Sequence, residues 1–174
     1  MGDTPAWNPA GFVAELIRRC GSDTAFRAAM RRADNPRTEV FAWPYLVKWC
    51  DISKDHERLP FALIGAAVAR EDPEHDGKED LGQLFRSCCS DKDDMEREQH
   101  RFRRLIGCDN AIELCEVLRP VLRYLQGRVP GRIGYAVLLR DVLYYGEKVK
   151  LRWAGHFFGN MEGLEDREDG DVSD

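Results

Sequence analysis

The residues of this chain whose types and spacing could do chemistry are its arginines and lysines, and the chemistry they suit is the holding of phosphate. Arg97, Arg101 and Arg104 recur at helical spacing. At about 100° per residue they fall within roughly 60° of one another, away from Phe102, Leu105 and Ile106. A solvated face is the plain alternative, because Glu98 can reach Arg101 three positions on. Arg119 and Arg123 make a like-charge pair four apart, partly offset by Glu116. Arg31 and Arg32 close a helix that also carries Arg27, where the macrodipole alone would favour cations.

Arg140 lies in a segment, Ile133 to Tyr145, that is apolar nearly all round and so reads as buried. Positions 136, 137, 143 and 144 are Ala, Val, Leu and Tyr, so no acid of its own helix faces it. A buried Arg must meet either a carboxylate from another helix or a ligand's phosphate, and the sequence leaves both open. Lys148 and Lys150 follow Gly146 in the last helix. Cations recurring on several helices suit a groove that tracks a nucleic-acid backbone without reading bases.

Other chemistry is thinly represented. Asp91, Asp93 and Asp94 could hold a nuclease metal, but a capping turn explains them better. The six cysteines form no C-x-x-C pair, the four histidines are scattered, and no phosphate-loop, dinucleotide or hydrolase motif occurs. The expectation is a chain with no catalytic residue, no metal and no cofactor.

The elements that must position the cations are helices. Hydrophobic residues make up 43%, enough for a real core, and no stretch alternates long enough for a strand. The formal charge of −5 is misleading: residues 162–174 alone carry −6, residues 51–80 carry −5, and residues 86–152 carry +4. With no signal sequence and an apolar run of only 11 residues, Leu59 to Ala69, the expectation is a cytoplasmic chain that does not enter membranes.

Start and stop signals predict an all-α bundle of about seven to eight helices, drawn from nine candidate segments. The first runs from an Asn8 cap with Pro9 to Cys20, and the second from Asp23 to Ala33. The third, Thr38 to Cys50, should break or kink at Pro44, and the fourth should open at Pro60. Residues 71–80 read as a solvated loop. Further helices are expected over Leu81–Cys88, Met95–Ile106 behind an Asp93 cap, Asp109–Gln126, Ile133–Tyr145 and Lys148–Phe158. Asp109–Gln126 should turn Leu114, Leu118, Val121 and Leu125 inward and bend at Pro120. Residues 1–161 form one helical domain, divisible into lobes of about 1–90 and 91–161, followed by an acidic disordered tail, 162–174.

Several stretches resemble the CasB family, the small subunit of the type I-E CRISPR surveillance complex (Cascade). They are A-M-R-R-A (Ala29 to Ala33), L-G-x-x-F (Leu81 to Phe85) and E-Q-H-R-F-R-R-L-I (Glu98 to Ile106). L-R-P-V-L-R-Y-L (Leu118 to Leu125) and Y-A-V-L-L-R-D-V-L-Y-Y-G (Tyr135 to Gly146) complete the set, in consistent order from about residue 10 to 158. The resemblance implies a two-lobed helical bundle, present in two copies, that works with other subunits, guide RNA and target DNA. In that family it clamps the displaced DNA strand and steadies the guide–target hybrid. Arg32, Arg101, Arg119 and Arg140 match basic positions of the family motifs, as do Lys148 and Lys150. Glu147, Gly107 and Asn110 stand where relatives can be basic. The acidic loop and tail are not family hallmarks and are expected away from the groove. A helical adaptor binding acidic protein partners is the alternative, ahead of a nuclease built on Asp91 to Asp94.

Overall fold

The computed structural model describes residues 6–159, and among them nine α-helices and one short 3₁₀ turn make up the regular structure. No strand is present there; the β-type pairing is one isolated bridge, Glu79 to Ile133. The fold is all-α, as the helical patterning requires. The expected acidic tail lies outside the described residues.

Helix α1 (Pro9–Cys20) starts as its residues dictate. The Asn8 side chain accepts from the Gly11 amide, and Pro9 in the first turn has no hydrogen bond to lose. Phe12, Val13, Leu16 and Cys20 form its buried stripe. Helix α2 (Thr24–Met30), capped by Asp23, stops three residues short of Ala33. The reason is local: the Thr38 hydroxyl donates to the Arg32 carbonyl, and Asn35 Oδ1 accepts from the Arg37 amide. These bonds give the backbone an alternative to the helix, so Arg31 and Arg32 stand on an exposed turn.

Two prolines behave differently from expectation. Pro44 does not break a helix but opens one: after the 3₁₀ turn Glu39–Phe41, α3 (Trp43–Leu46) begins with Pro44 in its first turn, where the missing N–H is harmless. Pro60 lies inside α4 (Asp55–Glu71), which starts five residues earlier than expected. The early turn is anchored from outside. Buried Glu57 accepts from the Asp51 amide and the Trp7 indole, and Arg58 donates to the Ile52 carbonyl. From Phe61 to Ala69 every residue of α4 is buried, and α1, α2, α3, α7 and α8 pack around it.

Helix α5 (Leu81–Ser87) opens on a capping box between Asp80 and Gln83. Helix α6 (Lys92–Ile106) is capped by Asp91, not Asp93, so Asp93 and Asp94 fall in its first turn. Helix α7 (Ala111–Arg128) runs unbroken through Pro120. Leu122, rather than the half-buried Val121, joins Leu114, Leu118 and Leu125 inside. Helices α8 (Tyr135–Leu143) and α9 (Glu147–Phe158) close the bundle. Gly82 of α5 lies so near the Trp153 carbonyl of α9 that a Cβ there would overlap it, and Phe85, Phe102 and Phe157 pack ring on ring beside this contact. No helix among the described residues is long and apolar enough to cross a membrane.

Candidate nucleic-acid interface

Helices α6 and α7 and the turn after α2 hold most of the candidate cations, and three contacts tie them together. The first is Asp34, whose side chain is only 4% exposed. Arg70 Nη1 meets its carboxylate at 2.8 Å and Arg119 Nε at 3.7 Å, which fixes Arg119 against the turn carrying Arg31 and Arg32. The second is Tyr124, one residue past Arg123: the Arg101 guanidinium carbon stands 4.2 Å from its ring centroid. The third is Asp94, which accepts from Ser90 and Arg97 while Arg128 Nη2 lies 3.5 Å away. In the order of these contacts the cations form a band of pairwise links, Arg32 and Arg119 through Asp34, and Arg101 and Arg97 through Tyr124 and Asp94, with Arg123 between them on α7.

The spacing on α7 shapes that band. Arg119 and Arg123 lie about 40° apart, while Tyr124 and Arg128 fall on the opposite flank of the helix, facing α6. The cations thus wrap around α7 rather than standing in one plane.

Within the band, two kinds of cation must be separated. Arg97, Arg101 and Arg119 already have carboxylate partners in Asp94, Glu98 and Asp34. Arg31, Arg32, Arg104 and Arg123 are exposed and make no ion pair among the described residues. Free guanidinium groups give their full charge to a phosphate; paired ones must first give up a carboxylate. Arg103, exposed and equally free, was not singled out by the sequence because it breaks the spacing of Arg97, Arg101 and Arg104.

The remaining candidates have other surroundings. Lys150 Nζ donates to the Cys108 carbonyl at 2.8 Å and lies 5.1 Å from the Tyr145 ring, so it closes the C-terminal end of α6. Lys148 is exposed at the start of α9. Arg140 is not buried: its side chain is 56% exposed, and its nearest acid is Asp141 beside it, Nε to Oδ1 3.8 Å. Asp141, 1% exposed, is taken by the Trp153 indole at 2.9 Å and by Arg152. Arg140, which the sequence suggests is buried, is therefore solvated and needs no buried partner. Leu138, Leu139 and Val142 bury one side of α8, and Arg140 projects from the other.

Two of the three carboxylates, Asp91 and Asp94, are engaged locally, while Asp93 is exposed in the first turn of α6. Asp91 caps α6 by accepting from the Asp94 amide, and the Ser90 hydroxyl followed by Arg97 holds the Asp94 carboxyl down to about 2. Among the described residues no group of three or more His, Cys, Asp or Glu side chains could hold a metal ion. Five of the six cysteines are buried, and burial raises the thiol pKa of all six, to about 12 for Cys50 and Cys115. Tyr124 is pushed up to about 12, first by burial and then by its hydrogen bond to Glu98.

Tyr124, Asp34 and Arg128 belong to this surface and were not legible in the sequence. Their partners lie tens of residues away, and only the packing of α7 between the α2 turn and α6 brings them into place.

Comparison with known proteins gives the same topology. The family model described as CRISPR-associated protein Cse2 matches residues 26–158. The crystal structure of CasB from Thermus thermophilus superposes with a TM-score of 0.67 at 27% identity, covering 88% of this chain and 99% of that one. A second crystal structure from the same species, of a CRISPR-associated protein of the Cse2 family, gives 0.64 at 26% identity, covering 90% and 99%. No curated protein matches the chain.

Proposed function

Since this chain belongs to the CRISPR-associated Cse2 family, we propose that it is a non-catalytic subunit of a type I-E RNA-guided surveillance complex in the cytoplasm, serving antiviral defence. Its task there is to hold the displaced DNA strand and steady the hybrid between guide RNA and target. The observation that carries this reading is the band from Arg32 to Arg97, assembled from three separate elements by Asp34 and Tyr124. Exchanging a DNA duplex for an RNA–DNA hybrid is nearly balanced, so modest contacts to the freed strand decide whether the open state persists. Arginines on rigid helices supply such contacts without sequence preference.

The same subunit would meet its neighbours, including a second copy, through other surfaces. Val40, Phe41 and Val47 are each about half exposed, which suits protein contact. Such exposed apolar side chains also favour the second reading, a helical adaptor whose arginine faces meet acidic partners.

Arg123→Ala and Arg104→Ala distinguish the two. Measured in the assembled complex, each lost phosphate contact should flatten the log–log salt dependence of single-strand binding by roughly 0.7. The loss should be equal for unrelated sequences, because phosphate carries no base information. Unchanged salt slopes in both variants would leave the adaptor in place.

A further inference from the structure

Arg101 is held differently from the other cations of the band. Its Nη1 donates to Glu98 Oε1 at 2.8 Å, and the Tyr124 hydroxyl donates to the same oxygen. Glu98 is 2% exposed, and its second oxygen is buried with no hydrogen-bond partner among the described residues. The carboxylate is thus locked beneath the surface, and it fixes the guanidinium while the Tyr124 ring supports it from one side at 4.2 Å. Even so, 41% of the Arg101 side chain is exposed. It borders a shallow depression of about 350 Å³ shared with Arg97, His100 and Glu96.

A guanidinium so arranged is a weak phosphate ligand, because Glu98 already matches its charge. Its delocalised plane remains available, and such planes stack well on other π systems. We infer that Arg101 is a stacking platform for an unpaired nucleobase, with Tyr124 as the layer beneath and Glu98 setting the plane. A base entering the depression would complete a three-layer stack of base, guanidinium and phenol ring. Bases in a duplex are already stacked on each other, so a platform of this kind selects single strand over double strand.

The inference rests on the reading that this surface holds a single strand, and it moves Arg101 from phosphate contact to base contact. Two oligonucleotides of equal length and charge test it by fluorescence anisotropy with the full chain: one single-stranded DNA bearing bases, one made of abasic residues. The base-bearing strand should bind roughly 5- to 150-fold tighter, the range expected for one stacked base. Arg101→Lys keeps the charge and loses the plane. It should erase most of that preference while leaving abasic-strand affinity and salt slope as they were. Tyr124→Phe, which keeps the ring, should retain the preference, and Tyr124→Leu should lose it; thermal melts report whether each variant is folded. Equal affinity of the unaltered chain for both strands overturns the platform alone. So does an Arg101→Lys variant that keeps the preference. Failure of the unaltered chain to bind either strand, alone and in the assembled complex, overturns the strand-holding reading itself.

Discussion

Asp34 serves two arginines at once, and removing its charge should push stability and strand binding in opposite directions. The side chain is 4% exposed; Arg70, 15% exposed, is bound at 2.8 Å, and Arg119, 37% exposed, sits at 3.7 Å. Asp34→Asn keeps the shape and an acceptor oxygen but leaves the Arg70 guanidinium buried without a counter-charge. Breaking a buried pair costs about 3–5 kcal/mol when one charge is stranded. The residual exposure of Arg70 and the retained amide oxygen reduce this to about 2–3 kcal/mol, which for a chain of this size lowers Tm by roughly 4–12 °C. Arg119 contributes little to that loss, being more exposed and farther away. Its gain appears in binding instead. Released from Asp34, Arg119 can give its full charge to phosphate, steepening the single-strand salt slope by up to roughly 0.7. Differential scanning calorimetry and a salt titration of strand affinity read the two effects separately. A variant that melts with the unaltered chain would refute the buried-pair argument. One that melts early but keeps the original slope would refute the view that Asp34 restrains Arg119.

Three further outcomes follow from the geometry. Arg140→Ala should change stability by less than about 0.5 kcal/mol in urea denaturation, because the side chain is 56% exposed and loosely placed against Asp141; a loss of several kcal/mol would restore the buried-pair view. Asp94 has a folded pKa of about 2 against a usual 3.8, so its contribution is present above the usual value and lost as pH falls through the folded one. Asp94→Asn should therefore remove part of the decline in urea midpoint between pH 4 and pH 2, and an identical decline in both proteins would count against that account. Gly82→Ala should destabilise by about 1–3 kcal/mol, since the new methyl meets the Trp153 backbone rather than a movable side chain; an unchanged denaturation midpoint would show that α5 and α9 can separate freely.

Much of the bundle is legible in the residue order alone. Asn8 and Pro9 marked the start of α1, and the i, i+3 pairing of Glu98 with Arg101 was visible in the spacing. Pro60 misled because the anchors of the early turn, Trp7 and Asp51, reach Glu57 from outside the helix. Arg140 misled for another reason. Apolar residue types around α8 suggested burial on every side, yet Ala136, Val137 and Leu143 are only half-buried and Tyr144 is exposed. Arg140 points about 150° away from the centre of the arc formed by Tyr135, Leu138, Leu139 and Val142, an angle the sequence contained. What no local pattern contained was the pairing of Arg119 with Asp34 and of Arg101 with Tyr124, both of which depend on how α7 packs.

The close approach of Gly82 to Trp153 also has a consequence for synthesis on the ribosome. Helix α5 is short, and the face it buries is supplied chiefly by α9. About 70 residues separate the two contact points, so at 5–20 residues per second α5 waits roughly 4–14 s for its partner to be made. Throughout that interval Gly82 lacks the α9 backbone and Phe85 lacks Phe157, although Phe102 of α6 is already there to meet the other side of its ring. Helix α4 likewise waits for α7 and α8 to cover it, and the α5 seam closes only once α9 has been made. A premature stop anywhere before Trp153 would therefore release a chain with an open apolar seam, a substrate for chaperones and proteases rather than a shortened subunit.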